Sequence, residues 1–388
     1  MKNTRFGVIL LLVLFVVSLG LSYAYFTFIS PASQKAVVIT PPQKLVTGGV
    51  VFDQNLPKTQ ACPLDGELYS KQQEAWWQQH APLGIMIENA VPARPQSGLS
   101  SADIVYEAVA EGGITRFLAI FYCQDAKEVA PVRSARVYYI NWVSEYGKYP
   151  LYAHVGGANT PGPANALGLI SHLGWDGYND LNQFAIGFPT YWRDYNRLGH
   201  TVATEHTMVT TTTKLWDFAK TSRGITNVDK NGTPWNANFV KYTFKDDAPL
   251  SARPASQKIH IDFWSDPEYA VDWTYDRTNN DYLRDNGGQP HLDLNTNKQI
   301  TAKNVVVLFM NETNVDDGYM NNEHLEYNNI GSGKALVFRD GKEIQGTWKK
   351  TSRTARTMLY DENGNPVVFD RGPIWFEAQS LNSVVTVQ

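Results

Sequence analysis

Three ionisable residues around a glycine pair are the first place in this chain where chemistry could be done. Glu107, Glu111 and Arg116 flank Gly112-Gly113, and a Gly-Gly pair between two apolar runs signals a two-residue hairpin. Such a turn sets Glu111 opposite Ile114, Val109 opposite Arg116 and Glu107 opposite Leu118. Side chains alternate between sheet faces with a period of two. Both glutamates and the arginine are therefore expected on one face, with Tyr106, Ala108, Phe117 and Ala119 on the core face. Two carboxyls beside a guanidinium suit an acid–base pair or a structural Glu–Arg–Glu bridge. Residues four apart on a strand are about 13 Å apart at Cα, against roughly 5–9.5 Å between the carboxyls of a glycosidase. The distance favours the bridge.

A second group follows from connectivity. Residues 114–123 read as a strand, 131–146 as a helix opened by Pro131, and 150–155 as a second strand. Joined as a βαβ unit, they collect Arg133, Arg136 and His154 at the C-terminal edge of the sheet, where open α/β sheets bind ligands. Two guanidiniums at a helix start suit a phosphate or carboxylate. The structural alternative is that they pair with acids such as Asp125 or Glu88. Arg94 and His206 are further candidate contacts. Trp175, Tyr178, Tyr191, Trp192 and Tyr195 crowd one polar stretch and could stack on sugars, although most tryptophans belong to cores.

Several chemistries lack their residues. No metal is expected, because no His-Glu-x-x-His occurs and two cysteines do not make a structural zinc site. Neither Gly-x-Ser-x-Gly nor Ser-x-x-Lys is present, and neither Gly112-Gly113 nor Gly156-Gly157 is a nucleotide loop. No cofactor is implied. A net charge of -4 and the lack of a basic stripe argue against nucleic acid.

The elements that must position these residues begin behind a membrane signal. No charged side chain lies between Arg5 and Lys35, and residues 6–29 are almost continuously apolar. A hydrocarbon core of about 30 Å takes roughly 20 helical residues to cross. Lys2 and Arg5 hold residues 1–5 in the cytoplasm. The expectation is a single-pass cell-membrane protein whose bulk is extracytoplasmic. An uncleaved anchor is favoured over a signal peptide cut near Ser22-Tyr23-Ala24, and both give the same compartment. Proline and glycine make 30–61 a linker. Length predicts two domains, 62–225 and 233–388. The second reads as β-rich, from short alternating runs and the hairpin dipeptides Asp340-Gly341 and Asn363-Gly364. The fold class is α+β: a mixed-sheet, α/β sandwich-like domain followed by a β-rich one. Cys62 and Cys123 either form one disulfide or stand as two buried thiols.

The runs Pro82-Leu83-Gly84-Ile85-Met86-Ile87-Glu88-Asn89, Ala93-Arg94-Pro95-Gln96-Ser97-Gly98-Leu99, Ala102-Asp103-Ile104-Val105-Tyr106-Glu107, Glu111-Gly112-Gly113-Ile114-Thr115-Arg116-Phe117 and Pro131-Val132-Arg133-Ser134-Ala135-Arg136 together resemble the YerB-like family of bacterial extracytoplasmic lipoproteins. A weaker match covers Gly333, Ala335, Phe338, Asp340-Gly341, Gly346-Thr347-Trp348 and Trp375. The resemblance implies two domains and an extracytoplasmic site, and no reaction. This chain lacks the lipidated cysteine of the lipoprotein members, which leaves its apolar segment as the expected anchor. The leading functional expectation is binding or assembly at the cell envelope, on an anionic or cell-wall glycan ligand. An envelope hydrolase using Glu107 or Glu111 is the alternative, and a scaffold for membrane-protein partners is a third reading.

Overall fold

The apolar runs that lack alternation become strands covered on both faces. Leu83–Glu88 is buried throughout, and Ile104–Glu111 up to its last residue, as expected of inner strands with layers above and below. The structure, a computed structural model, describes residues 14–18, 21 and 49–388, except 265, 320 and 322.

The strands are β1 (Lys58–Ala61), β2 (Leu68–Ser70), β3 (Leu83–Glu88), β4 (Ile104–Glu111), β5 (Ile114–Phe121), β6 (Leu151–His154) and β7 (Asp180–Asn182). They continue as β8 (Lys258–Ile261), β9 (Val271–Asp276), β10 (Asp281–Asn286), β11 (Asn304–Met310), β12 (Gly331–Arg339), β13 (Lys342–Lys350), β14 (Met358–Asp361), β15 (Ile374–Ser380) and β16 (Val385–Val387). The helices are α1 (Lys71–Trp77), α2 (Val137–Val143), α3 (Ala166–His172), α4 (Gln183–Ile186) and α5 (Thr212–Arg223).

One ten-stranded mixed sheet runs β14-β13-β12-β11-β15-β4-β5-β3-β6-β7. Its two halves come from the two segments expected as domains, and they meet where β15 lies parallel to β4, from Ile374 beside Ile104 to Glu377 beside Glu107. A smaller antiparallel sheet, β10-β9-β8-β16, covers one face of this seam. Trp273 of β9 meets Trp375 of β15 edge-on, ring centroids 5.4 Å apart. Helix α2 covers the other face, where Trp142 stacks on Tyr106 at 5.1 Å. The α+β expectation holds.

Three local readings are corrected. Residues 131–146 are helical only from Val137. Before it the chain is extended, because its backbone groups are taken by the sheet: Arg133 N–H donates to the Met86 carbonyl, and Val155 N–H to the Arg133 carbonyl. The βαβ unit does not form, since β5 runs antiparallel to β3, and it is β3 that pairs in parallel with β6. The hairpin carries a bulge at Ala110, so Glu107 lies opposite Phe117 and Arg116 opposite Ala108. One extra residue reverses the facing of everything beyond it. Glu107 therefore points to the smaller sheet, while Glu111 and Arg116 share the α2 side.

Of the expected anchor at 6–29, residues 14–18 and 21 are helical and exposed. The rest of it, and most of the linker, lie outside the described residues. Among the described residues no helix is long and apolar enough to cross a membrane. Cys62 and Cys123 form a disulfide across 61 positions, with Cα atoms 6.0 Å apart. It ties the end of β1 to the end of β5, worth about 4 kcal/mol on a chain-entropy account.

Gly346 of β13 is a point of close approach, because a Cβ there would stand 1.9 Å from the Tyr360 carbonyl oxygen. Gly346→Ala is expected to push the edge strand β14 away and to cost about 1–3 kcal/mol. Urea unfolding of the full chain would measure this, and an unchanged midpoint would contradict the close packing of β13 on β14.

Candidate functional site

Of the two glutamates first singled out, Glu107 sits at the seam. Its side chain is fully buried. One oxygen accepts from Thr115 Oγ1 at 2.7 Å, and the other is ion-paired with Arg284 of β10, itself fully buried. The Arg284 guanidinium lies over the Trp375 ring, 4.8 Å from its centroid, and also donates to His291 Nδ1. His291 Nε2 then donates to Gln96 Oε1 at 2.7 Å. Burial, with the charges of Arg284 and Arg94, holds this imidazole well below the usual histidine range. Glu377, beside Glu107 in the register, accepts from the Trp273 indole at 2.9 Å. Burial first, and the charge of Glu107 second, push its carboxyl well above the usual glutamate range. The centre is a closed knot of charges joining three strands.

Glu111 is held from both sides by guanidiniums, those of Arg116 at 3.0 Å and of Arg136. Arg116 also donates to the Ser134 carbonyl at 3.0 Å. The expected Glu–Arg–Glu bridge is thus an Arg–Glu–Arg bridge, with Glu107 elsewhere. The bulge at Ala110 puts the two glutamates on opposite faces, so they do not make an acid–base pair.

The edge expected from β5 and β6 does not form, because those strands run in opposite directions, and β3, β6 and β7, which are parallel, bring their C-terminal ends together instead. At those ends lies a cleft of about 710 Å³ whose wall includes Arg133, Ser134, Asn159, Asn182, Phe184 and Arg193. Glu88, at the end of β3, grips Arg133 Nε at 3.1 Å with one oxygen and His206 Nδ1 at 2.9 Å with the other. The outer part of the Arg133 guanidinium stays accessible, with its side chain 28% exposed. Gly156 takes a left-handed conformation, with φ of 58°, and its N–H donates to Asn182 Oδ1. Phe184 stands 74% exposed and close over that glycine, 3.0 Å from where a Cβ would sit. Two cations, Arg133 and Arg193, two amides and an aromatic face share this opening with one carboxylate, Glu205, whose charge also acts on Arg133, and such a set can bind a ring that bears both an anionic and a hydroxyl group.

Of the five candidate contacts, Arg133 lines this cleft, and His206 stands behind it on Glu88. Arg136 is buried against Glu111. His154 is fully buried, bonded to Asp180 at 2.6 Å and to the Gly156 carbonyl at 2.7 Å, and so shapes the glycine turn without facing solvent. Arg94 reaches the Glu268 carbonyl at 2.8 Å and lies over Tyr269, which makes it a tether between the two segments. Trp175 and Tyr191 are core. Phe184 and Arg193 were missed as site residues, and Glu88 was expected only as a structural partner of Arg133 and Arg136, which it is for Arg133. Phe184 and Phe188, spaced four apart, were the available signal for the first.

Residues 66–226 match a family model described as protein of unknown function (DUF3048) N-terminal domain, and residues 259–376 match its C-terminal domain. The Bacillus subtilis (strain 168) protein YerB, named as a lipoprotein, is 28% identical over 278 residues, which covers 70% of this chain and 73% of that protein. The crystal structure of YerB from Bacillus subtilis superposes with a TM-score of 0.67 at 25% identity, over 85% of this chain and all of that one.

The seam generates a pH prediction. A carboxyl whose folded value is raised adds stability below its unfolded value, near 4.5 for glutamate, and loses it as pH rises through the folded value. Glu377→Gln cannot lose that proton. The variant is expected to match the wild type near pH 4 and to gain on it steadily toward pH 8 in denaturant unfolding. Parallel stability profiles would show that Glu377 is not held protonated by its surroundings.

Proposed function

The chain belongs to the DUF3048 family of proteins of unknown function, with both of its domains present, and we propose that it is a membrane-tethered, extracytoplasmic binding protein. Its ligand is an anionic, sugar-like group of the cell envelope, held in the cleft beside Arg133. The observation that carries this reading is the state of the Arg133 guanidinium. Glu88 pairs with it at Nε, while the partly exposed side chain lines an opening shared with two amides, the exposed Phe184 ring, Arg193 and Glu205. A cation oriented from behind and open in front suits capture of a carboxylate or phosphate. Phe184 offers an apolar face on which a sugar ring can lie. His206, on the other oxygen of Glu88, helps hold the arrangement.

The compartment rests on the uncharged run behind Lys2 and Arg5 and on the naming of the B. subtilis relative as a lipoprotein. A lipid and an apolar helix are alternative tethers for the same kind of exterior body. An enzyme reporter fused after Gln388 is expected to be active outside the membrane, and activity in the cytosol would reverse the topology.

The ligand is tested with the full chain in detergent, titrated with soluble peptidoglycan fragments that keep their carboxylates and with neutral chitin oligomers of the same length. Binding of the anionic fragments alone is expected. Arg133→Ala should weaken it by roughly 10- to 100-fold, corresponding to about 1.5–3 kcal/mol for a charge-assisted contact. Lys342→Ala, on the exposed side of β13, should leave it unchanged. Equal binding of neutral and charged oligomers would sink the anion reading, and newly formed reducing ends would replace binding with hydrolysis.

A further inference from the structure

Cys62 and Cys123 lie beside two buried acids that have no cation to balance them. Asp103 and Asp65 are both fully buried, and among the described residues neither enters an ion pair. Asp103 uses Oδ2 to accept from the backbone N–H groups of Tyr122, at 2.6 Å, and Cys123, at 3.1 Å. Its Oδ1 is left 3.7 Å from Cys62 Sγ. Asp65 accepts from Glu67 N–H through Oδ1, while its Oδ2 is buried without a partner. A buried carboxyl is costly unless something offsets its charge. Here the donors that anchor Asp103 are backbone amides, which fix its orientation and leave one oxygen aimed at sulfur.

Two sulfurs and a carboxylate oxygen lie within 4.8 Å of one another at this point. Tetrahedral zinc, with Zn–S near 2.3 Å, needs its sulfurs about 3.8 Å apart. Side-chain rotation from Cα atoms 6.0 Å apart reaches that spacing without moving the strands. We propose that reduction of the disulfide turns Cys62, Cys123 and Asp103 into a site for one zinc-like divalent cation, whose charge would also offset the buried Asp65 near Asp103. The two sulfurs exclude the hard ions magnesium and calcium, which prefer all-oxygen sites. The lack of metal-type spacing in the sequence does not bear on this site, because Asp103 reaches the sulfurs through the fold.

The chemistry balances with a dithiol as co-reactant. Its two thiols reduce the Sγ–Sγ bond and become a disulfide themselves, and Cys62 and Cys123 leave as thiols carrying two protons. The cation then displaces those protons, and any on Asp103, to water. Access comes through β1, which directly precedes Cys62, is largely exposed and pairs only with the three-residue β2. Peeling back this short hairpin uncovers Cys62 while the ten-stranded sheet stays intact.

The test uses the full chain in detergent, oxidised or reduced with an excess of dithiothreitol that is then removed without oxygen. Cobalt(II) is added as the probe, followed by zinc in competition with a chromophoric chelator. Reduced protein is expected to bind one cobalt per chain with a thiolate-to-cobalt charge-transfer absorption, and oxidised protein none. Asp103→Asn should weaken zinc binding by at least about tenfold, the low end of what even outer contacts of metal sites contribute. If the reduced chain loses its near-ultraviolet circular dichroism, zinc must restore it, and failure to restore it overturns the proposal. Equal affinity of wild type and Asp103→Asn overturns it as well, as does binding without the thiolate signature.

Discussion

A single buried guanidinium holds the two halves of this molecule in register. Arg284 comes from the smaller sheet and meets Glu107 on β4, while Glu377 on β15 stands next to Glu107 in the large sheet. Removing such a cation would strand two carboxyls in a dry interior, where an unpaired charge costs several kcal/mol. Replacing a whole buried ionic group with well-packed hydrocarbon is often neutral for stability, but it would also remove the reason for this one alignment. A one-residue slip of β15 against β4 would take Glu377 from the smaller sheet to the α2 side, among the stacked Tyr106 and Trp142 and away from Arg284. The charges therefore select the pairing more than they strengthen it.

That alignment explains why two segments that match separate family models are one structural body within residues 49–388. Without β15, β4 would be an open edge of apolar strand, and such an edge invites pairing with another chain. Without β4, β15 and β11 would end in the same way. Each segment supplies half a sheet and covers the other's exposed backbone. Arg94, bonded to the Glu268 carbonyl, and Asp293, which accepts from the N–H groups of Gly98 and Ser100, repeat the arrangement at the periphery. In both places a charged side chain from one segment satisfies backbone groups of the other.

Local pattern made much of this legible before the fold was known. The Gly112-Gly113 hairpin, strand β3, the glycine-ended strand β6 and the β-rich second half follow from apolar runs and turn residues. The pairing of Cys62 with Cys123 was one of two open readings. What escaped depends on partners distant in sequence. The segment before α2 has proline at its start and apolar residues at helical spacing, yet the carbonyls of Met86 and Gly156 claim its amides. No local signal marks the bulge at Ala110. It lets Glu111 reach Arg116 and Arg136 together, and Arg136 arrives from a segment whose path is set by the sheet. The same displacement sends Glu107 toward Arg284, which lies 177 positions away.

The contrast between the paired glutamates and the cleft is what favours the cleft in the proposed binding role. Glu107 and Glu111 have their charges matched inside the protein by Arg284 and by Arg116 with Arg136, which leaves neither carboxylate open to a ligand. Arg133 pairs with Glu88, feels the charge of Glu205 across the cleft, and keeps part of its side chain exposed. Glu88, which holds it, also receives Gln96 Nε2 at its backbone carbonyl, 2.9 Å away, and Gln96 is the group that accepts from His291 beside Arg284. The residue that orients the open cation is thus anchored by the same hydrogen-bonded line that closes the seam. Rigid support behind a partly unpaired charge lowers the ordering cost of capturing an anion. The assembly of the two halves and the preparation of the cleft are therefore consequences of one arrangement of buried polar groups.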